Sequence, residues 1–284
     1  DAGIVAVSPE SGTLFSCHGD SVYISFTVEN EGVNSLTALD ATFTTDLGQT
    51  FTQTFVQAIA SGSTHEFTFS TKAALVSGNN GVQIVLDASN DGNPYNDTMV
   101  VSYPFVDSET LSVLWSEDFE TFDLCGTGSD CGFTVCEMEN DWVNEPTGLV
   151  DESDWRTNSG GTPSDFTGPS ADHTLENSSG KYIYFEASGG CTFQTAMLTS
   201  PCIDLTQATE PKLTFWYSMN GLDMGSLSID LFDGSQWTED VFFISGNQGD
   251  EWELAEVSLA AYVGQVVNIR FRGVSGSDYR SDIA

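Results

Sequence analysis

Val22-Tyr-Ile-Ser-Phe-Thr-Val28 sets Val22, Ile24, Phe26 and Val28 on one side of an extended chain and Tyr23, Ser25 and Thr27 on the other. A period of two is the mark of a strand with one buried face, because successive side chains leave a strand on opposite sides. Glu29-Asn-Glu-Gly32 follows as a turn. Working outward, Leu39–Phe43, Thr50–Val56, His65–Phe69, Val82–Leu86 and Thr98–Tyr103 read as further strands, with Gly62 and Gly78 in turns. About seven short strands in ~100 residues, with no helix-length periodic segment, predict a Greek-key sandwich.

The composition changes near residue 106. Residues 1–106 hold one basic residue, Lys72, one cysteine, Cys17, and no tryptophan. All six tryptophans and the other five cysteines lie beyond residue 112. We read 1–106 as one domain, 107–113 as a linker and 114–284 as a second domain. The second half again shows strands: Lys181–Glu186, Ala196–Leu198, Lys212–Met219, Leu227–Phe232, Glu251–Ser258 and Val266–Arg272. Leu213, Phe215 and Tyr217 alternate, as do Leu227, Ile229 and Leu231. The expected fold class is all-β: two tandem β-sandwiches, an immunoglobulin-like Greek key followed by a jelly roll.

With 7 Lys and Arg against 42 Asp and Glu, the formal charge is −35. That repels phosphates and anionic lipid, so neither nucleic acid nor membrane insertion is expected. It attracts divalent cations. At 39% hydrophobic residues, with 12% aromatic, the chain can build real cores and is no acidic tail. Six cysteines favour disulfides and an oxidising, extracellular setting. Cys191 and Cys202 flank a short strand and could bridge. Cys125, Cys131 and Cys136 share one acidic loop in which two could pair, and they lack the close CxxC pairs of a structural zinc site. A free, buried Cys17 is one reading of the remaining thiol.

Catalytic patterns are absent. His18, His65 and His173 sit in no nucleophile-elbow or His-Glu-x-x-His context. Acidic pairs abound, yet no element singles out two for glycoside hydrolysis. Gly126-Thr-Gly-Ser-Asp-Cys-Gly132 lacks the lysine of a phosphate loop, and the acidic segment Asp87–Asp97 lacks EF-hand spacing and its closing glutamate. Asp20-Ser21-Val22 and Asp97-Thr98-Met99 resemble O-glycosylation acceptors of Bacteroidota, which makes Ser21 and Thr98 candidates. Asn96-Asp-Thr98 and Asn177-Ser-Ser179 fit the N-glycosylation sequon. Trp216, Tyr217, Trp237 and Trp252 could form a sugar-stacking platform or sandwich core.

Asp1-Ala-Gly-Ile-Val-Ala-Val-Ser-Pro9, the strand ending Val28-Glu-Asn-Glu-Gly32, and Asp87–Asp97 before the last strand resemble the CARDB and related immunoglobulin-like surface modules. The later signatures are denser. They run Asp118-Phe-Glu120, Leu124-Cys-Gly126, Asp154-Trp-Arg156, Thr167-Gly-Pro169, Asp172-His-Thr174 and Gly180-Lys-Tyr-Ile-Tyr184. Leu198-Thr-Ser-Pro201, Leu213-Thr-Phe-Trp-Tyr-Ser-Met219, Trp252 and Asp282-Ile-Ala284 complete the series. In order and spacing this region resembles the MAM domain across roughly 170 residues. The opening Trp115-Ser-Glu-Asp-Phe-Glu120 is also similar to sandwich domains of secreted Bacteroidota proteins, including substrates of gliding or type 9 secretion.

The resemblance implies a non-catalytic adhesion or stalk segment of a large secreted bacterial surface protein, extracellular or on the cell surface. The implied partners are other domains of the same chain and cell-surface proteins or glycans. It also implies a structural cation, Ca2+ with Na+ as an alternative. Glu120, Asp172 and Asp282 would be its first ligands, with Asp118 and Asp154 as further candidates, since calcium takes 6–8 oxygens in flexible geometry. The alternative reading is a set of accessory or carbohydrate-binding domains from a secreted peptidase or glycoside hydrolase. Two departures stand out: Glu117 occupies the place of a frequent cysteine, and the family runs on past Asp-Ile-Ala. The second domain is therefore expected to be truncated at its C-terminus, with an unfinished sheet edge.

Overall fold

The computed structural model describes residues 1–9, 12–89, 91–126 and 136–284. The described residues are all-β, with no α-helix and two three-residue 3-10 turns. The chain divides into two compact units, Asp1–Asp107 and Ser108–Ala284.

The first unit contains β1 (Ala2–Ser8), β2 (Leu14–Phe15), β3 (Ser21–Val22), β4 (Ser25–Asn30), β5 (Leu36–Thr45), β6 (Thr50–Ile59), β7 (Thr64–Thr68), β8 (Ala73–Ala74), β9 (Gly78–Asp87) and β10 (Thr98–Val106). One sheet runs β1-β4-β7 and the other β2-β10-β9-β5-β6, while β3 and β8 form a small separate pair. The alternation in Val22–Val28 has its expected effect: Ile24, Phe26 and Val28 are buried. Phe26 sits at the centre of an aromatic cluster with Phe55, Phe67 and Phe69, at centroid distances of 5.4, 5.7 and 5.1 Å. Edge-on and tilted pairs at such spacing add to the area they bury.

The second unit contains β11 (Thr110–Ser112), β12 (Val143–Asn144), β13 (Trp155–Ser159), β14 (Lys181–Phe185), β15 (Thr195–Thr199), β16 (Cys202–Asp204), β17 (Lys212–Tyr217), β18 (Ser226–Phe232), β19 (Trp237–Ser245), β20 (Glu253–Ser258) and β21 (Val266–Val274). Part of the segment read as a linker is thus a strand, since Thr110–Ser112 pairs in parallel with Cys202–Asp204. In one layer β21 pairs with β18 on one side and with β15 and β16 on the other, and β19 extends it beyond β18. The opposing layer is built from the pairs β13–β14 and β17–β20. The C-terminal residues join those pairs. Ile283 exchanges backbone hydrogen bonds with Phe185, and Ala284 does so with Ser218.

The core lies between the two layers, with Trp155, Phe185, Leu198, Leu227, Ile229 and Ile283 among its buried members. Gly273 of β21 is needed for that closeness, because a Cβ there would stand 2.9 Å from Phe185 Cδ1 and 3.1 Å from Trp155 Cζ2. Trp155 also donates its indole N–H to Ala196 O at 3.0 Å, so its one polar atom is satisfied.

Candidate cation site and interaction surface

The outer face of β14 carries Tyr182 and Tyr184, which pack with Ala284 and Trp252. Residues 160–180 are held against this face. Tyr182 donates its hydroxyl to Gly160 O at 2.7 Å, and Trp252 Nε1 donates to Ala171 O at 3.0 Å. Between this covering segment and the sheet lie the acids singled out in the sequence. Glu120 Oε1 accepts the backbone N–H of Lys181 at 3.0 Å. Asp172 packs against the adjacent Gly180 so closely that any Cβ there would clash with its carboxylate. Asp282 Oδ1 accepts the N–H of Ala187 at 3.0 Å, and its own N–H donates to Thr167 Oγ1 at 2.8 Å.

Asp172 and Asp282 are both buried, and each has one oxygen with no hydrogen-bond donor: Asp172 Oδ1 and Asp282 Oδ2. Burial lifts the carboxyl of Asp282 well above its ordinary range, and the neighbouring Glu186 adds to the rise. The Tyr182 phenol is pushed up to about 12, first by burial and then by the charges of Asp282 and Asp172. Glu186 accepts from the Tyr184 hydroxyl at 3.3 Å and from Ser188 N at 2.8 Å.

The other two candidate ligands lie elsewhere. Asp118 is exposed and caps its own turn, accepting Glu120 N at 3.1 Å. Asp154 accepts the Thr147 hydroxyl at 2.8 Å and belongs to a different acidic group with Glu145, Asp151 and Glu152. In that group Asp151 Oδ2 accepts Met197 N at 2.7 Å and Glu152 Oε2 accepts Thr195 N at 2.8 Å. These carboxylates thus satisfy N–H groups of β15. Burial, with Asp154, Glu145 and Glu152 nearby, pushes the Asp151 carboxyl up to about 8. Among the described residues, no three Asp, Glu, His or Cys side chains are gathered into a metal-holding group. A cation beside Asp172 and Asp282 would draw its remaining ligands from backbone carbonyls and water, which calcium accepts readily.

The seven basic residues are all engaged within the fold. Arg270 and Arg272 converge on buried Asp230 at 2.8 and 2.9 Å, and Arg280 meets Asp223 at 2.8 Å. Although burial raises it, the Asp230 carboxyl ends below its ordinary pKa because Arg272 and Arg270 favour its charged form. Lys212 pairs with Glu256, Lys181 Nζ donates to Phe122 O, Arg156 donates to Gly126 O, and Lys72 lies over the Tyr23 ring. None is left to form a basic patch.

Among the aromatic candidates, Tyr217 is buried and Trp237 lies under the Arg270 guanidinium at 4.1 Å. Trp216 is 43% exposed and stacks on His173 at 3.8 Å. Cys125 and Cys136 form a disulfide with Cα atoms 5.8 Å apart, while Cys131 lies outside the described residues. Most of Gly126–Gly132 lies outside them too. Cys17, Cys191 and Cys202 are also disulfide-bonded, which corrects the free-thiol reading of Cys17. Thr98 is exposed at the start of β10, whereas Ser21 is half-buried in β3. Among the described residues no helix is long and apolar enough to cross a membrane.

The profile of the MAM domain, meprin/A5/mu, matches residues 118–284. The chain belongs to the MAM family. A CARDB domain is matched at residues 11–98. Neuropilin-1a of Danio rerio is 37% identical over 126 residues, covering 42% of this chain and 13% of the relative. Neuropilin-1 of Xenopus laevis is 34% identical over 150 residues, covering 48% of this chain and 14% of the relative. Thyroid hormone-induced protein B of Xenopus laevis is 32% identical over 158 residues, covering 55% and 20%. The matched part is therefore at most a fifth of each of these relatives.

Among solved structures, the CARDB domain of a Pyrococcus furiosus protein in complex with di-metal ions overlaps 37% of this chain and 88% of its own. It is 12% identical, with a TM-score of 0.31. Carbohydrate-binding modules of the β-sandwich superfamily overlap 99% and 94%, at 10% identity and a TM-score of 0.35. The chain thus combines two adhesion-type modules of the extracellular kind, and its disulfides suit a secreted or surface protein.

Proposed function

We propose that this chain is a non-catalytic adhesion or stalk segment of a large secreted bacterial surface protein, in which a Ca2+ ion stiffens the MAM unit. Its partners are neighbouring domains of the same protein and cell-surface proteins or glycans. The order of a CARDB module followed by a MAM module supports the adhesive reading, as does the engagement of every cation within the fold. Na+ is the lesser alternative at the cation site.

One observation carries the cation: buried Asp172 and Asp282 each present a carboxylate oxygen that accepts no hydrogen bond of good geometry, with Thr162 and Glu186 beside that of Asp282. An unsatisfied buried carboxylate is expensive, and a hard cation relieves it. Asp172 and Asp282 would hold the ion, with Glu120 close by at Lys181. The ion would supply charge neutralisation that pins residues 160–180 and the C-terminal residues to β14. The same neutralisation lets Asp282 ionise at neutral pH, so binding releases a proton.

Calcium titration of the melting temperature, followed by tryptophan fluorescence, tests this. At about 100 times its Kd, calcium would add about 2.7 kcal/mol, and EGTA would reverse the gain. Asp282→Asn would abolish the calcium response. Equal melting temperatures in calcium and EGTA would remove the cation from the account.

A further inference from the structure

At the end of the MAM unit where β14, β17 and β21 finish, four loops meet: 160–168, 186–194, 218–225 and 275–282. Backbone bonds tie them together. Gly168 N donates to Asn220 O at 3.0 Å, Phe193 N to Gly276 O at 3.1 Å, and Asp223 N to Arg280 O at 3.3 Å. The packing leaves no room for a Cβ at Gly221, where it would clash with Arg280 O, or at Gly276, where it would clash with Asp223 O. The loops therefore form one rigid surface.

A large apolar side chain stands on each of the four. Phe166 is 81% exposed and Phe193 71%, the two most exposed phenylalanines among the described residues. Leu222 and Tyr279 are exposed on the other two loops. Single exposed apolar residues are ordinary, but four on one rigid surface mark a place of contact. The two phenylalanines are also held at φ 65° and 56°. That left-handed region is costly for a bulky residue, and Gly or Asn would occupy it with less strain. Neither ring belongs to a core cluster, so stability does not account for the cost. Strain of this kind collects at functional sites.

The charge around the tips selects what they meet. Asp165, Asp223 and Asp278 lie on the same loops, and Asp250 is joined to them by Asn220 Nδ2 at 2.8 Å. The one cation on these loops, Arg280, is held by Asp223 and Asp278 at 2.8 and 3.2 Å. We propose that this end of the MAM unit docks a partner protein, Phe166 and Phe193 entering apolar pockets that are ringed by Lys and Arg. Aromatic anchors supply the affinity of such an interface and the charged rim its steering. The proposal rests on the adhesive reading and gives it a surface and a partner chemistry. A second copy of this chain does not fit, because its basic residues are already engaged within the fold. A glycan fits less well, since phenylalanine lacks the polar handle of Tyr or Trp.

A display library of random disulfide-closed peptides, selected on the 284-residue chain, tests this, with the most enriched peptide as the probe. Enriched sequences should set Lys or Arg beside Leu, Trp or Phe. A chain of charge −35 attracts any basic peptide, so the deciding comparison is the double variant Phe166→Asn with Phe193→Asn, which keeps every charge. It should weaken the probe at least about tenfold while melting no lower than the parent chain. Phe243→Thr, which removes an exposed phenylalanine of β19, should leave binding unchanged. The proposal is overturned if the double variant binds the probe as tightly, if Phe243→Thr weakens it equally, or if the double variant melts lower, since the phenylalanines would then be structural. A parent dimer that the double variant breaks in sedimentation would give the surface to a second copy, and overturn it too. Peptides that bind another face remove this surface and leave the adhesive reading standing. A library that yields no binder also removes it, and adhesion would then fall to glycans.

Discussion

The two units solve the problem of a buried interior differently. Among the described residues of Asp1–Asp107 the buried polar ones are Thr13, Asn30, Thr45 and Asn80, and none of them is charged. The rest of that interior is aliphatic and phenylalanine-rich. Asn80 shows how such a core tolerates a polar group: its Nδ2 donates to Val76 O, Gly78 O and Tyr103 O, and its Oδ1 accepts Val76 N. In Ser108–Ala284 the buried set includes Glu145, Asp151, Asp154, Arg156, Asp172, Glu186, Asp230, Arg270 and Asp282. Apolar burial depends weakly on pH and salt, whereas buried charge depends strongly on both. The core of the first unit is therefore built to be indifferent to its medium and that of the second to respond to it, while outside that core the Asp97 carboxyl is raised by burial and by Asp91 and Asp87.

The largest way to break the comparison is to remove the aromatic centre of the first unit. Phe26→Ala leaves a cavity among Phe55, Phe67 and Phe69 and is expected to cost about 3–5 kcal/mol. The loss should be the same at pH 5 and pH 8 and unaffected by calcium. Since all six tryptophans lie in the second unit, calorimetry should show the shift while tryptophan fluorescence does not. A pH-dependent loss would mean that the first unit also leans on ionised groups.

The corresponding cut in the second unit is Asp230→Ala. It strands Arg270, which is 9% exposed, and Arg272 beside it. Removing one partner of a buried ion pair is costly, and about 3 kcal/mol is expected, the low end of the usual range because Glu239 and Asp240 can still attract the two guanidiniums. Tryptophan fluorescence should follow this loss, because Trp237 lies under Arg270.

Asp151 sharpens the contrast through pH. Its carboxyl holds its proton up to about 8 in the folded unit, against 3.8 ordinarily. Between those values the unfolded chain gives up a proton that the folded unit keeps, so stability falls as pH rises from about 4 to about 8 and levels off above. Asp282 contributes in the same direction when no cation is bound. In EGTA the melting temperature of the second unit should fall across this window. Asp151→Asn should flatten the fall, since its amide oxygen can still accept Met197 N. An unchanged slope in the variant would show that the Asp151 proton is not the cause.

How much of this was legible in the sequence follows from the same division. In the first unit apolar and polar residues alternate, and Val22–Val28 gave its buried face directly. In the second unit, β13 reads Trp-Arg-Thr-Asn-Ser, almost wholly buried although four of its five residues are polar. No alternation marks it, because Asn144 and Gly126 satisfy its polar groups from outside the strand. β19 was missed for a different reason: it pairs only with β18, through a register shift, and its apolar residues bunch at Val241–Ile244. Glu120, Asp172 and Asp282 could be singled out as candidates because they sit in recognisable short signatures. Glu145, Asp151 and Glu186 were not, since among 42 acids a buried carboxylate has no local mark. The one clue for Glu186 was its phase, two residues beyond Tyr184 in a strand whose outer face is covered.

The smallest expected effect tests whether the indifference of the first unit extends to its surface. Val56 lies on β6, the outermost strand of its sheet, and is 82% exposed. On that outer face it stands opposite Ala38, and the next position holds Thr54, whose hydroxyl donates to Asp40 at 2.5 Å across the strands. Val56→Thr keeps the β-branched shape that suits a strand and buries nothing new. A change within about 0.5 kcal/mol is expected, read from the calorimetric transition of the first unit. A larger loss would mean that Val56 is covered in solution. The edge of β6 would then be a contact surface, and the indifference of the first unit would belong to its core alone.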